Sequence, residues 1–133
     1  MNLPGVLLVA VALVVLALAA RMRGQAAARL KRAKATGEVE GYVEFVMGQP
    51  EEKRANLWDQ GITQLWRGYE RVTAMKLMKA AAATSGAPVV QFWIRQALEI
   101  EPELAAAELG PEFLEEHFRP DVAARCGRVG CCG

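Results

Sequence analysis

The sequence predicts an all-α protein: one N-terminal transmembrane helix, a basic juxtamembrane helix that continues it, and a small helical cytoplasmic domain. An uncharged apolar stretch covers residues 3–20, and basic residues follow it at once. The later part shows helical periodicity and no sustained alternation of β-branched residues. The expected divisions are residues 1–20 (transmembrane anchor), 21–36 (basic helix), 37–125 (helical domain) and 126–133 (Gly/Cys-rich tail).

The anchor prediction depends on length and on the absence of polar side chains. As a helix, residues 3–20 rise about 27 Å, close to the ~30 Å hydrocarbon core of a bilayer. A cleaved signal peptide is the competing interpretation, because residues 17–19 read Ala-Leu-Ala, as at a cleavage site. However, Met1 and Asn2 supply no positive charge, and the apolar run exceeds the usual 7–15 residues. We therefore expect a retained anchor.

A cluster of basic residues predicts the orientation of this anchor. Residues 21–34 include no acidic residue and six basic ones, namely Arg21, Arg23, Arg29, Lys31, Arg32 and Lys34. The positive-inside rule places them and the following domain in the cytoplasm, with the N-terminus outside, in an inner or plasma membrane. They either fix the topology alone or also bind anionic membrane lipids. A nucleic-acid partner is not expected, since the net charge is only +1.

Small residues recur along one side of the anchor. Gly5, Ala12 and Ala19 are seven positions apart, and small residues allow close approach of another helix. The pattern predicts packing against transmembrane subunits of a complex.

Beyond the anchor, proline and glycine divide the chain into helices. Gly37 is expected to end the basic helix, and a short amphipathic helix follows over residues 38–47. One long helix over residues 50–83 and a second over 88–101 predict a helical hairpin, joined by the turn at 84–88. Shorter helices are expected at 103–109, 111–118 and 120–125. Gly61 or Gly68 within the long helix predicts a kink or a close helix contact.

A stripe of large apolar side chains follows helical spacing on this hairpin. It comprises Trp58, Ile62, Leu65, Trp66, Tyr69, Val72 and Trp93. Such a stripe is either the core of the domain or a surface for a partner or cofactor.

The C-terminal third is acidic, with eight acidic residues from Glu99 to Asp121. These residues form either a solvated surface or a docking face for a basic partner.

Residues 97–102 (Ala-Leu-Glu-Ile-Glu-Pro) resemble the end of a tetratricopeptide repeat, where the second helix closes with an Ala-Leu pair and a proline. The resemblance covers these six residues and implies a helical hairpin, and in that family a peptide-binding one. No second copy follows at a 34-residue period.

The tail offers the only candidate metal ligands. Cys126, Cys131, Cys132 and nearby His117 provide four soft ligands, the number that a tetrahedral zinc site needs, but their spacing lacks the usual C-x2-4-C pairs. Inert thiols, a metal or cluster site, and a lipid or disulfide link remain open. No cofactor is assigned.

No catalytic motif is present: the chain has no phosphate-binding glycine loop and no H-E-x-x-H sequence, so an enzyme is not expected. The favoured hypothesis is a non-catalytic, single-pass accessory or scaffolding subunit of a larger membrane complex, contacting a soluble or peripheral protein through its cytoplasmic helices. One alternative is a membrane-tethered helical adaptor for a soluble protein or peptide. A second is a metal or redox protein that uses the tail.

Overall fold

The computed structural model describes residues 3–125, and within that range the all-α prediction is confirmed. Of these residues 87% are helical and none lies in a strand. The eight helices of the described range are α1 (Leu3–Thr36), α2 (Glu40–Met47), α3 (Glu51–Arg67), α4 (Arg71–Thr84), α5 (Pro88–Ile100), α6 (Pro102–Leu109), α7 (Pro111–His117) and α8 (Pro120–Arg125).

The apolar and basic segments form one continuous helix, α1, about 51 Å long at 1.5 Å per residue. It ends where Gly37 adopts a φ of 75°, a left-handed conformation that suits glycine. The Gly37 N–H donates to the Ala33 carbonyl at 2.7 Å and closes the last turn. No proline or break separates the two segments.

The prediction of a single helix over residues 50–83 is wrong, because the chain turns between α3 and α4. The turn is a Schellman motif: the Tyr69 N–H donates to the Trp66 carbonyl (3.1 Å), and the Glu70 N–H donates to the Leu65 carbonyl (2.9 Å). Tyr69 occupies the left-handed position with a φ of 61°. Glycine is usual at that position, but here the glycine, Gly68, comes one residue earlier.

The core lies where α2, α3, α4 and α5 meet, and the end of α1 contributes to it. Leu30 and Ala33 of α1 are only 4% and 1% exposed, so residues 21–36 pack as part of the helical domain. α5 packs on α3 and α4, while α6 packs on α4 and α8 on α5. The largest completely buried side chains include Trp58, Tyr42, Ile62, Leu65, Met75, Leu77, Met78, Ile94 and Leu109.

Gly61 is the point of closest approach between α2, α3 and α4. A Cβ atom placed there would lie 2.6 Å from Tyr42 Cε1 and 3.0 Å from Leu77 Cδ2. Both distances are shorter than an ordinary carbon–carbon contact of 3.5–4.0 Å. Of the two glycines singled out in the sequence, Gly61 therefore makes the close contact, and Gly68 lies at the break.

Candidate functional site

The apolar segment of α1, residues 3–20, stands away from the rest of the protein except near Ala19. Its large side chains are exposed, with Leu3 at 83% and Leu8 at 71%. No residue of its most apolar 18-residue window is buried. Gly5 and Ala12 are exposed, and a Cβ at Gly5 would meet no atom within 4 Å. Within the described residues, α1 is the one helix long and apolar enough to span a membrane.

The next part of α1 carries a stripe that faces the helical domain. The stripe advances in steps of three and four, so its members lie on one side of the helix. They are Ala19, Met22, Ala26, Leu30 and Ala33, which pass from half-buried at Ala19 to buried at Leu30 and Ala33. Ala19, predicted to pack in the membrane with Gly5 and Ala12, therefore lies beside the protein's own domain.

The six basic residues of α1 occupy different environments. Arg29 donates from Nη1 to the Gly41 carbonyl at 2.9 Å, and its guanidinium lies 5.5 Å from the centre of the Phe45 ring. These contacts hold α2 against α1. Lys34 lies beside the end of α3, since a Cβ at Gly68 would be 3.0 Å from Lys34 Nζ.

All six basic residues are exposed, and the other four, Arg21, Arg23, Lys31 and Arg32, make no ion pair among the described residues. With α1 normal to a membrane, Arg21 and Arg23 lie within about 5 Å of the end of the apolar segment, whereas Lys34 lies about 21 Å beyond it. Of the six basic residues, Arg21 and Arg23 are therefore the two that lie next to the end of the apolar segment.

A groove of about 470 Å³ runs between α1 and α3 and begins beside the end of the apolar segment. α1 and α2 supply mainly apolar side chains, and α3 supplies mainly polar ones. The lining consists of Ala19, Met22, Arg23, Ala26, Ala27 and Leu30 from α1, Phe45 from α2, and Lys53, Leu57, Gln60 and Gln64 from α3. The lining contains two cationic side chains and no carboxylate. We call it the α1–α3 groove.

Five residues of the predicted apolar stripe lie in the core. Trp58, Ile62, Leu65, Trp66 and Trp93 are each at most 7% exposed. The Trp66 and Trp93 ring centres are 6.1 Å apart, an interacting aromatic pair.

The other two members of the stripe, Tyr69 and Val72, lie at the surface. They are 82% and 37% exposed, because the turn after Gly68 changes the direction of the chain. Beside them, the Arg71 guanidinium lies 3.8 Å from the centre of the Trp66 ring and 5.6 Å from that of Tyr69. Tyr69 and Val72 thus form an exposed corner of the domain, beside the half-buried Arg71.

Three side chains, Gln91, Trp93 and Tyr42, make polar contacts that tie the domain together, and the sequence patterns do not reveal them. Gln91 is 4% exposed and donates to the His117 carbonyl at 2.8 Å, while its Oε1 accepts from the Arg119 N–H at 2.6 Å. Trp93 Nε1 donates to Asp59 Oδ1 at 2.8 Å, joining α5 to α3.

The third side chain is Tyr42, whose hydroxyl donates to the Leu57 carbonyl. Burial raises the pKa of Tyr42 well above its ordinary value.

The Gln91 contacts could not be predicted from the sequence. A single glutamine within the apolar run of α5 does not indicate which groups it will bind, so only the tertiary structure reveals them.

His117 packs against its own helix: its ring lies 5.1 Å from the Phe113 ring, and its Nε2 lies 3.8 Å from Glu116 Oε1. The other candidate ligands, Cys126, Cys131 and Cys132, lie outside the described residues. Within residues 3–125, no three His, Cys, Asp or Glu side chains cluster as a metal site would require.

Comparisons with protein-family models, with characterised proteins and with solved structures found no match to this chain. The proposals below therefore depend on the geometry of α1 and its domain.

Proposed function

We propose that the protein is a non-catalytic, single-pass accessory or scaffolding subunit of a larger membrane complex. Its apolar segment spans the bilayer beside other transmembrane subunits. The domain stands in the cytoplasm directly beneath the membrane and contacts a soluble or peripheral subunit there.

One observation carries this proposal: an exposed apolar segment is built on the same unbroken helix as a well-packed domain. The segment is about as long as the hydrocarbon core is thick, and its backbone hydrogen bonds are satisfied within the helix. Because α1 also carries the stripe that ends in Leu30 and Ala33, the domain is held rigidly at the end of the span. Such a rigid arrangement suits a subunit that positions other proteins.

The orientation follows from the charges next to the span. Arg21 and Arg23 lie at the domain end of the apolar segment, and the segment itself carries no charged side chain. By the positive-inside rule, this end faces the cytoplasm and the N-terminus faces outward, in an inner or plasma membrane.

Two surfaces support contacts with partners. In the bilayer, the side of α1 that carries Gly5 and Ala12 is open to close approach of a second helix. In the cytoplasm, the exposed corner formed by Tyr69 and Val72 presents an aromatic side chain, a residue type that is enriched at protein interfaces. No nucleic-acid partner is proposed.

The adaptor hypothesis receives less support from the structure. It requires an open groove along the hairpin of α4 and α5, but α6 packs on α4 and α8 packs on α5. The tail-based metal or redox hypothesis concerns residues outside the described range.

The test is gentle detergent extraction of the full chain from its native membrane, with an affinity tag after Gly133. Size analysis and mass spectrometry then identify the proteins that co-purify. A large stoichiometric assembly is the expected result, and a lone monomer in several mild detergents would overturn the proposal.

A matched pair of substitutions locates the transmembrane contact. Ala12→Leu should release the protein from its complex, because the larger side chain prevents close helix approach. Val14→Leu is the control, since Val14 lies about 200° around the helix from Ala12. Equal co-purification of both variants would contradict the proposed contact face.

Orientation is tested separately by adding an epitope after Gly133 of the protein and preparing sealed right-side-out vesicles from the membrane that contains it. The epitope should resist added protease until the vesicles are opened. Digestion in intact vesicles would reverse the proposed topology.

A further inference from the structure

We propose that the α1–α3 groove binds the headgroup of an anionic phospholipid from the cytoplasmic leaflet. This inference rests on the proposed function in one respect, namely that residues 3–20 of α1 span the membrane. It adds a defined lipid site to a surface that the sequence marked only as generally basic.

The position of the groove favours a lipid. The headgroup layer on each side of a bilayer is roughly 5–7 Å thick, given a ~30 Å core and a total of 40–45 Å. Ala19 lies at the end of the apolar segment, and Arg23 lies about 4.5 Å beyond Ala20 along the helix. The first part of the groove is therefore level with the phosphates, and its mouth is next to the acyl chains.

The lining matches both parts of such a lipid. Ala19 and Met22 provide apolar surface for the upper acyl chains. Arg23 and Lys53 provide the positive charge for the phosphate, and Gln60, farther along the groove, provides an amide donor for the headgroup. Among the described residues, neither the Arg23 nor the Lys53 side chain forms an ion pair, so both remain available to a phosphate.

The arrangement of α3 brings Lys53 towards the membrane. α3 ends beside the end of α1, at Gly68 and Lys34, and it lines the groove as far back as Lys53. The start of α3 therefore lies nearest the apolar segment. The acidic side chains of its first turn, Glu51 and Glu52, line a different groove with Arg54.

The character of the lining also favours a lipid over a protein helix. The groove combines apolar side chains at its membrane end with two cationic side chains and no carboxylate, which matches an anionic amphiphile.

The experiment is native mass spectrometry of the full chain in a zwitterionic detergent, titrated with dioleoyl phosphatidylglycerol or, separately, with dioleoyl phosphatidylcholine. Arg23→Gln and Lys53→Gln each remove one cation from the groove. Lys31→Gln in α1 and Arg67→Gln in α3 are matched controls, because they remove the same charge from the same helices outside the groove.

We expect phosphatidylglycerol to bind more tightly than phosphatidylcholine. Each groove substitution should weaken its binding about fivefold, and the double variant about 25-fold, while the controls stay within about twofold. Gln60→Trp should also weaken binding, because it fills the groove without changing the charge. Circular dichroism verifies that each variant is folded.

Four results would overturn the inference. Equal affinity for the two lipids would exclude headgroup recognition, and equal losses in groove and control variants would indicate general charge attraction. If alkaline carbonate releases the wild-type chain from native membranes, then α1 does not span the bilayer, and the proposed function fails together with the lipid site. If the chain resists carbonate but the groove substitutions have no effect, the lipid site alone is wrong.

Discussion

Gly61→Ala is the most direct test of how this domain is packed. The added methyl group would lie 2.6 Å from Cε1 and 2.9 Å from Cζ of Tyr42, and 3.0 Å from Leu77 Cδ2. The Tyr42 ring cannot easily move away, because it is 1% exposed and its hydroxyl donates to the Leu57 carbonyl. It also packs edge-on against Trp58, with ring centres 6.5 Å apart.

Two opposing effects decide the magnitude. Replacing glycine with alanine inside a helix contributes up to about 1 kcal/mol of stability. Overpacking a core costs about 1–3 kcal/mol, and a displaced Tyr42 hydroxyl would lose its buried hydrogen bond at a cost of about 1–3 kcal/mol more. We expect Gly61→Ala to lower the free energy of unfolding by about 1–5 kcal/mol.

The assay is urea unfolding of the full chain in detergent micelles, followed by the fluorescence of the tryptophans, which are all buried. Gly41→Ala is the matched control, because Gly41 is exposed in α2 and a Cβ there would meet no atom within 4 Å. That variant should be unchanged or stabilised by up to about 1 kcal/mol.

A double-mutant cycle with Tyr42→Leu tests the cause of the effect. The smaller side chain makes space for the new methyl group, so Gly61→Ala should cost less in that background than in the wild type. If Gly61→Ala is as stable as Gly41→Ala, the close packing of α2 on α3 described here is incorrect.

Four further changes test other parts of the structure. Gln91→Leu should lower the free energy of unfolding by about 2 kcal/mol, because the His117 carbonyl and Arg119 N–H lose their partner; exposed Gln60→Leu is the control, and equal urea midpoints would contradict the role of Gln91. Tyr69→Gly should raise the same free energy by about 1 kcal/mol by relieving the left-handed backbone, whereas Tyr69→Ala keeps a Cβ and should gain little; equal gains would refute this reasoning. Since burial raises the pKa of Tyr42 above its usual value of about 10, the unfolded chain ionises first, and stability should fall as pH rises above about 10; urea unfolding of Tyr42→Phe should show a smaller decline, and parallel curves would contradict it. A chain that starts at residue 37 should be about 3 kcal/mol less stable than one that starts at residue 21, because it loses the burial of Leu30 and its neighbours on α1; equal thermal midpoints would show that the basic segment is not part of the core.

Local sequence signals were sufficient for most helix boundaries. Gly37 ends α1, and the segment around Gly86 and Pro88 separates α4 from α5, as expected. The prolines at 102, 111 and 120 each begin a short helix. Proline and glycine act through their own backbone geometry, so their effects can be read without knowing the tertiary structure.

The turn between α3 and α4 could not be predicted in the same way. Gly68 is unfavourable within a helix, but a glycine alone does not show whether the chain bends there or continues. The hydrogen bonds of the turn place Tyr69 in the conformation that usually requires glycine. Tertiary packing of α4 on α3 therefore overrides the local preference, and it moves Tyr69 from the apolar stripe to the surface.

The residues of the α1–α3 groove could be predicted only in part from the sequence, for a related reason. Sequence spacing identified the cations of α1, but it did not distinguish Arg23, which lines a groove, from Arg29, which holds α2 in place. It also gave no reason to associate Lys53 with Arg23, because the two are distant in sequence. Their association depends on α3 returning alongside α1.

The small residues of α1 connect the two proposals. Positions seven apart rotate by about 20° per repeat on a straight helix, so Gly5 lies about 40° around the axis from Ala19. The side of α1 that packs on its own domain near Ala19 therefore continues, with a gradual turn, into the side that carries Ala12 and Gly5. A transmembrane partner docked on that side would stand above the α1–α3 groove, so a lipid bound there would lie between the partner and the domain.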